Sequence, residues 1–79
     1  MVVSISELYN KKVITNSGNM LGVVKEIVID LENNEVSHLL FTKLEHLAKS
    51  GDVRNTLRKN SVLYKRVRSV GESIIVSGQ

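Results

Sequence analysis

The segment from Met20 to Leu31 constrains the fold most strongly, because its β-branched residues favour strands but do not keep strand register. Side chains alternate between two faces along a strand, so Val24, Ile27 and Ile29 cannot all point the same way in a regular strand. One extra residue at Lys25–Glu26 restores the register, and such a residue is a β-bulge. Because bulges bend strands, the segment predicts a small barrel.

Shorter β-rich runs surround this segment. After a hairpin turn at Glu32–Glu35, a returning strand is predicted at Val36–Thr42, and the first three strands are expected to form a meander. The other predicted strands are Lys12–Thr15 before the segment, and Val62–Tyr64, Arg66–Arg68 and Ser73–Val76 after it.

Three stretches depart from the β pattern. Ser4–Leu8 predicts one capped helical turn, Leu44–Ser50 a short helix ending at Gly51, and Asp52–Asn60 a polar loop. The sequence therefore predicts an all-β fold, a small β-barrel of about six strands with one short helical segment. A single domain over residues 1–79 is predicted.

Two sets of residues follow from this fold. Gly18, Gly22, Asp30 and Gly71 are the predicted structural turn positions, because glycine tolerates positive φ and Asp favours turns. The residues predicted to be buried on the inner face are Val13, Val24, Ile27, Ile29, Leu39 or Leu40, Ile74 and Val76.

The core of so short a chain is expected to need help from a partner. A chain of 79 residues buries only about 60% of its unfolded surface, and this one contains no cysteine for disulfide or zinc cross-links. We therefore expect a homodimer. The third strand, Val36–Thr42, and the segment Leu44–Ala48 are the predicted contact regions.

The sequence contains no recognisable catalytic, cofactor or metal site. His38 and His46 have no matching donors at zinc-ligand spacing, and Gly18–Gly22 lacks the Gly-Lys-Ser/Thr of a phosphate loop. Acidic residues cluster at one hairpin, where a solvated turn explains them. We therefore predict that the protein is not an enzyme and uses no cofactor.

The charge distribution points to a binding role. Eight of the eleven cations lie between Lys43 and Arg68, together with only two of the eight acids. The predicted partner-binding residues are Arg54, Arg58, Lys59, Lys65, Arg66 and Arg68. Such a patch suits an acidic protein surface or RNA, although a merely solvated basic loop is the alternative. Against RNA, the chain has only three aromatic residues for base stacking.

The predicted location is the cytoplasm. The first residues show no signal-peptide pattern, and the longest purely apolar runs contain three residues, so no integral membrane segment is expected.

Several stretches resemble PRC-barrel domains. Ile5–Thr15 resembles the opening of that family. Gly18–Asp30 is similar to its central signature, in which a turn glycine leads to Leu-Gly, an apolar residue, an acidic pair and an apolar run closed by Asp. Val36–Phe41 resembles the third strand and Val62–Val76 the terminal part, whereas Leu44–Asn60 is an unmatched insertion.

This resemblance implies a barrel of about six strands that binds proteins and has no common catalytic residues. The family occurs in the H subunit of photosynthetic reaction centres and in a ribosome-maturation factor. Small stand-alone copies are common in archaea, and some of them are implicated in cell division, as partners of a membrane-bound adaptor that tethers the division ring. The resemblance thus implies a non-catalytic adaptor, or alternatively an accessory factor in RNA processing or ribosome maturation.

The chain departs from the family pattern at one corner. Leu63 stands where the family often has proline, and Lys65–Arg66 stands where it often has an acid. These differences make this corner more basic, and they put in doubt any partner contact that depends on an acid there.

Overall fold

The structure, a computed structural model, describes residues 5–43, 49 and 51–77. Within those residues the chain forms seven strands, two 3₁₀ turns and the α-helix Val53–Lys59, and Lys49 is helical as well. The strands are β1 (Lys12–Thr15), β2 (Met20–Val23), β3 (Glu26–Asp30), β4 (Glu35–Leu40), β5 (Ser61–Leu63), β6 (Val67–Val70) and β7 (Ser73–Val76). The helix α1 is Val53–Lys59, and the 3₁₀ turns are Ile5–Glu7 and Tyr64–Arg66.

The strands belong to two sheets. One sheet has the order β2-β1-β7-β6, with β1 and β7 parallel and the other neighbours antiparallel. The other sheet has the order β3-β4-β5 and is antiparallel throughout. The first strand therefore lies beside the last one in the middle of the larger sheet.

The prediction of a barrel of about six strands needs correction. Among the described residues the ladders form two separate sheets and no closed barrel. The chain leaves the first sheet at Val24 and enters the second at Lys25, whose N–H donates to the Leu40 carbonyl at 2.8 Å. The irregularity predicted as a bulge at Lys25–Glu26 is thus a change of sheet. Both antiparallel pairings of the predicted meander are present, β1 with β2 and β3 with β4, but they belong to different sheets.

A second corner lies between β5 and β6. The predicted strands Val62–Tyr64 and Arg66–Arg68 are interrupted by the 3₁₀ turn Tyr64–Arg66, so that β6 begins only at Val67. Because β5 and β6 belong to different sheets, this turn performs the same change of sheet in the second half of the chain.

The core confirms most of the predicted buried residues. Val13, Val24, Ile74 and Val76 are fully buried, and so are both Leu39 and Leu40. Leu8 and Val62 join them, and Ile27 packs against the core while half-buried. The prediction for Ile29 is wrong: it is 43% exposed, because the register between β3 and β4 shifts between Val28 and Ile29.

The prediction of a loop over Asp52–Asn60 is also wrong, because most of this stretch is helix α1. Asp52 caps the helix, its carboxylate accepting a hydrogen bond from the Asn55 N–H at 3.1 Å. Asn60 closes the other end through its side-chain amide, which donates to the Thr56 carbonyl at 2.9 Å. The helix predicted over Leu44–Ser50 lies outside the described residues except for Lys49, which is helical.

A cationic groove beside strand β5

A surface cavity of about 390 Å³ lies where α1, β5 and the turn Tyr64–Arg66 meet. We call it the β5 groove. Its lining combines cationic and apolar side chains: His38, Arg54, Leu57, Arg58, Ser61, Val62, Leu63 and Arg66. A lining of this composition can accept an anionic group and an apolar group side by side.

Helix α1 supplies two of the three arginines. Arg54 and Arg58 are four residues apart, so they lie one turn apart on the same helix face. Both side chains are exposed, and Leu57 lies half-buried beside them. The Ser61 hydroxyl donates to the Leu57 carbonyl at 2.6 Å, which fixes the end of α1 on the face of β5 to which Ser61 points.

Arg66 is held differently. Its guanidinium donates to the Ser77 carbonyl through Nε at 3.1 Å and also through Nη2, and the Ser77 N–H returns a hydrogen bond to the Arg66 carbonyl at 2.8 Å. These two donors leave three of the five guanidinium N–H groups for other partners. Arg66 therefore carries a positioned charge, and it also anchors the chain that follows β7.

His38 enters the groove from β4, the central strand of the smaller sheet. The Ser37 hydroxyl lies 2.9 Å from His38 Nδ1 and 3.4 Å from the Val28 carbonyl, to which it donates. Ser37 thus holds the imidazole from its Nδ1 side. His38 is half-buried and is the histidine that lines the groove.

The structure brings together Arg54, Arg58 and Arg66 of the six predicted partner-binding residues. Lys59, Lys65 and Arg68 are exposed but do not line the groove. For Lys65 and Arg68 the reason is the turn Tyr64–Arg66, which ends the strand geometry expected to align the cations of this region, whereas Lys59 lies on α1. Sequence reasoning missed Leu57 and Leu63; recognising Asp52 as a helix cap would have placed Leu57 between the two arginines.

The predicted turn positions have distinct geometries. Gly18 has a φ of 93° in the turn after β1, and its N–H donates to the Thr15 carbonyl at 2.9 Å. Gly71 lies in the bend between β6 and β7, where its carbonyl accepts a hydrogen bond from Lys11 Nζ. Gly22 packs directly under the ring of Phe41.

Asp30 organises the turn between β3 and β4. Its carboxylate accepts hydrogen bonds from Asn33 Nδ2 at 2.8 Å and from the Glu32 and Asn33 N–H groups at 3.0 and 3.3 Å. These bonds, chiefly the one from the Asn33 side chain, lower the pKa of Asp30 below its usual value. The turn is longer than the predicted one, because Leu31–Asn34 connects the strands and Asn34 adopts a φ of 55°.

One predicted dimer contact needs correction. The third predicted strand corresponds to β4, which is paired with β3 on one side and, over His38–Leu40, with β5 on the other. The half of β4 that pairs with β5 therefore has no free edge for a second copy. The segment Leu44–Ala48 lies outside the described residues, and the homodimer itself stays a prediction.

Comparison with known families identifies the group to which the chain belongs. The family model for the PRC-barrel domain matches residues 1–78, essentially the whole sequence. This chain belongs to the PRC-barrel family. PRC-barrel domains are generally non-enzymatic modules that mediate protein interactions. No curated protein matches the sequence significantly.

Two kinds of feature are absent from the described part of this PRC-barrel domain. Residues 5–43, 49 and 51–77 contain no group of three or more His, Asp or Glu side chains that could hold a metal ion. Over the same residues, none of the helices has the length and apolar character needed to cross a bilayer.

Proposed function

We propose that this PRC-barrel domain is a non-catalytic adaptor that binds an acidic segment of a partner protein in the β5 groove. The observation that carries the proposal is the convergence of Arg54, Arg58 and Arg66 on one cavity. Arginine suits this role because its guanidinium pairs with carboxylates in a planar, bidentate geometry. Leu57 and Leu63, next to the arginines, add apolar surface that a hydrated ion alone would not use.

The groove favours a protein ligand over RNA. Single-stranded RNA is usually held by exposed aromatic rings that stack on bases. Phe41 and Tyr64 are half-buried and pack against the core, and neither they nor Tyr9 lines the groove. RNA binding, as in RNA processing or ribosome maturation, is therefore our second proposal, and it depends on the basic charge alone.

The cellular process is proposed from the family resemblance. Some stand-alone archaeal copies are implicated in cell division as partners of a membrane-bound adaptor that tethers the division ring, so we propose cell division, in the cytoplasm, as the first process to examine. An acidic segment of such an adaptor is a ligand of the class that the groove suits.

A charge reversal confined to the groove tests the proposal. We expect Arg54→Glu/Arg58→Glu to slow partner association about tenfold or more at low salt, because it turns steering attraction into repulsion. The matched control is Lys65→Glu/Arg68→Glu, which changes the net charge equally at exposed positions outside the groove. All three proteins should melt alike, because these side chains are exposed.

The measurement is capture from a lysate of cells that express the protein, with and without nuclease, followed by mass spectrometry and surface plasmon resonance on the captured partner. Proteins retained by the control and lost by the groove variant support the proposal. Equal loss from both variants would show that only net charge matters. Capture that disappears after nuclease treatment favours RNA instead.

A further inference from the structure

Strand β5 is an edge of its sheet, and its free side can be identified. The Phe41 N–H donates to the Asn60 carbonyl at 2.7 Å, and Leu40 directs its carbonyl the other way, to the Lys25 N–H. Hydrogen-bonded and non-hydrogen-bonded pairs alternate along an antiparallel ladder. With Leu39 opposite Val62 and His38 opposite Leu63, the main-chain N–H groups of Ser61 and Leu63 point away from β4.

The β5 groove lies over the sheet face that carries Ser61, Leu63 and, on the neighbouring strand β4, His38. Val62, the residue between Ser61 and Leu63, also lines the groove, although it is only 3% exposed and belongs to the core. The groove therefore opens over the edge strand at the two residues whose main-chain N–H groups point away from β4.

The charges around this edge favour one kind of occupant. The three groove arginines line a cavity that an edge strand also lines, and such an edge pairs with another peptide main chain, which RNA cannot supply. Side chains of an added strand would alternate between the core-side face of Val62 and the face of Ser61 and α1. Residues on the second face would meet Arg54 and Arg58.

Building on the proposed function, we propose that the partner segment binds as an added β-strand on β5, with acidic side chains at alternate positions directed at the groove arginines. The main chain supplies affinity through hydrogen bonds to Ser61 and Leu63, and the arginines select the acidic sequence. A three-residue edge makes a short ladder, so each hydrogen bond contributes a large share of the binding.

Leu63 allows a test that distinguishes the contribution of its main-chain N–H to binding from that of its side chain. Its φ of −69° and ψ of 132° are values that proline adopts, and its N–H points away from β4. Leu63→Pro should therefore keep the fold and the melting temperature while removing the edge donor. Leu63→Ala is the matched control, because it also loses the leucine side chain but keeps the N–H.

The probe is an acetylated and amidated hexapeptide of alternating Glu and Val, titrated by NMR, with the Lys/Val peptide as its charge control. We expect Leu63→Pro to weaken binding of the Glu/Val peptide about tenfold or more, and Leu63→Ala to weaken it clearly less. Arg54→Glu/Arg58→Glu should weaken it too, and the Lys/Val peptide should not bind.

Equal weakening by Leu63→Pro and Leu63→Ala would overturn strand addition. If Arg54→Glu/Arg58→Glu still weakened binding in that case, the proposed acidic partner would stand. Absence of any Glu/Val binding would also overturn strand addition, and the capture experiment would then decide the proposed function independently.

Hydrogen exchange on the unmodified protein gives a second test, which is decisive if Leu63→Pro does not fold. The Leu63 amide should exchange several-fold more slowly when the Glu/Val peptide is added, while the amide of Val62, already directed at β4, should change little. An unchanged Leu63 rate at a peptide concentration that saturates the NMR shifts would overturn the inference.

Discussion

At the scale of single residues, Gly22 on β2 shows how closely the two sheets approach each other. A Cβ atom placed on Gly22 would lie 2.7 Å from Phe41 Cγ and 3.0 Å from Phe41 Cβ. The second of these atoms is attached to the main chain after β4, so rotation of the Phe41 ring cannot remove the overlap. Gly22 thus permits a contact between elements of different sheets.

We expect Gly22→Ala to destabilise the protein by about 1–3 kcal/mol, because the added methyl group forces a shift of the backbone or of Phe41. In a domain of this size such a loss lowers the melting temperature by several degrees. The matched control is Gly71→Ala, since a Cβ at Gly71 meets nothing within 4 Å. Equal melting temperatures for the two variants in circular dichroism would contradict this account of Gly22.

At the scale of elements, the β3–β4 turn depends on an ionised carboxylate. Hydrogen bonds from Asn33 and from the Glu32 N–H favour the charged form of Asp30, which is why its pKa is lowered. A lowered folded-state pKa means that this stabilisation is complete above the unfolded pKa of about 3.8. It is lost as the pH falls through the lower folded-state value.

We therefore expect Asp30→Ala to lower the melting temperature at pH 7 and to have a smaller effect at pH 2.5, because protonation of Asp30 in the natural chain increases as the pH falls toward its lowered pKa. Thermal melts of both proteins at the two pH values make the comparison. Glu35→Ala, at the exposed start of β4, serves as the control for loss of a nearby acid. An effect of Asp30→Ala that is the same at both pH values would contradict a role for the ionised form.

The same elements show what sequence patterns can predict. β1 was predicted residue for residue, because Lys12–Thr15 is a β-branched run followed by a glycine turn. Helix α1 was missed, since its signal is one capping aspartate and a single leucine among polar residues. The exposure of Ile29 could not be foreseen either, because the register shift beside it depends on the pairing of β3 with β4.

The candidate site, too, could be predicted from the sequence only in part. The concentration of cations was visible in the sequence, but the selection of Arg54, Arg58 and Arg66 from six candidates depends on a helix and a 3₁₀ turn. Their apolar neighbours depend on the same two elements. Charge composition can thus indicate that a chain binds an acidic partner before it can indicate where.

At the scale of the whole molecule, β7 holds the larger sheet together. It lies between β1 and β6, and it contributes the fully buried Ile74 and Val76 to the core. Ser77, directly after it, accepts the hydrogen bonds that hold Arg66 at the groove. Sheet, core and candidate site therefore depend on the same last strand.

A chain that ends at Gly71 should lose cooperative folding, because it leaves β1 and β6 without their shared neighbour and opens the core. A chain that ends at Gly78 should melt like the full protein, since it keeps β7 and the Ser77 peptide carbonyl that Arg66 contacts. Circular dichroism melts and binding of a hydrophobic dye distinguish the two. A cooperative melt of the shorter chain would contradict the central role of β7.

The parallel pairing of β1 with β7 also sets the order in which the molecule can form during synthesis. Lys12 pairs with Ser73, a separation of 73 − 12 = 61 residues, and contacts between residues so distant in the chain make folding slow. The β3–β4 hairpin, by contrast, needs only neighbouring residues. While the ribosome is still translating the second half, the apolar side chains of Val13 and Ile14 have no β7 beside them, which makes the nascent chain most prone to aggregation in that interval.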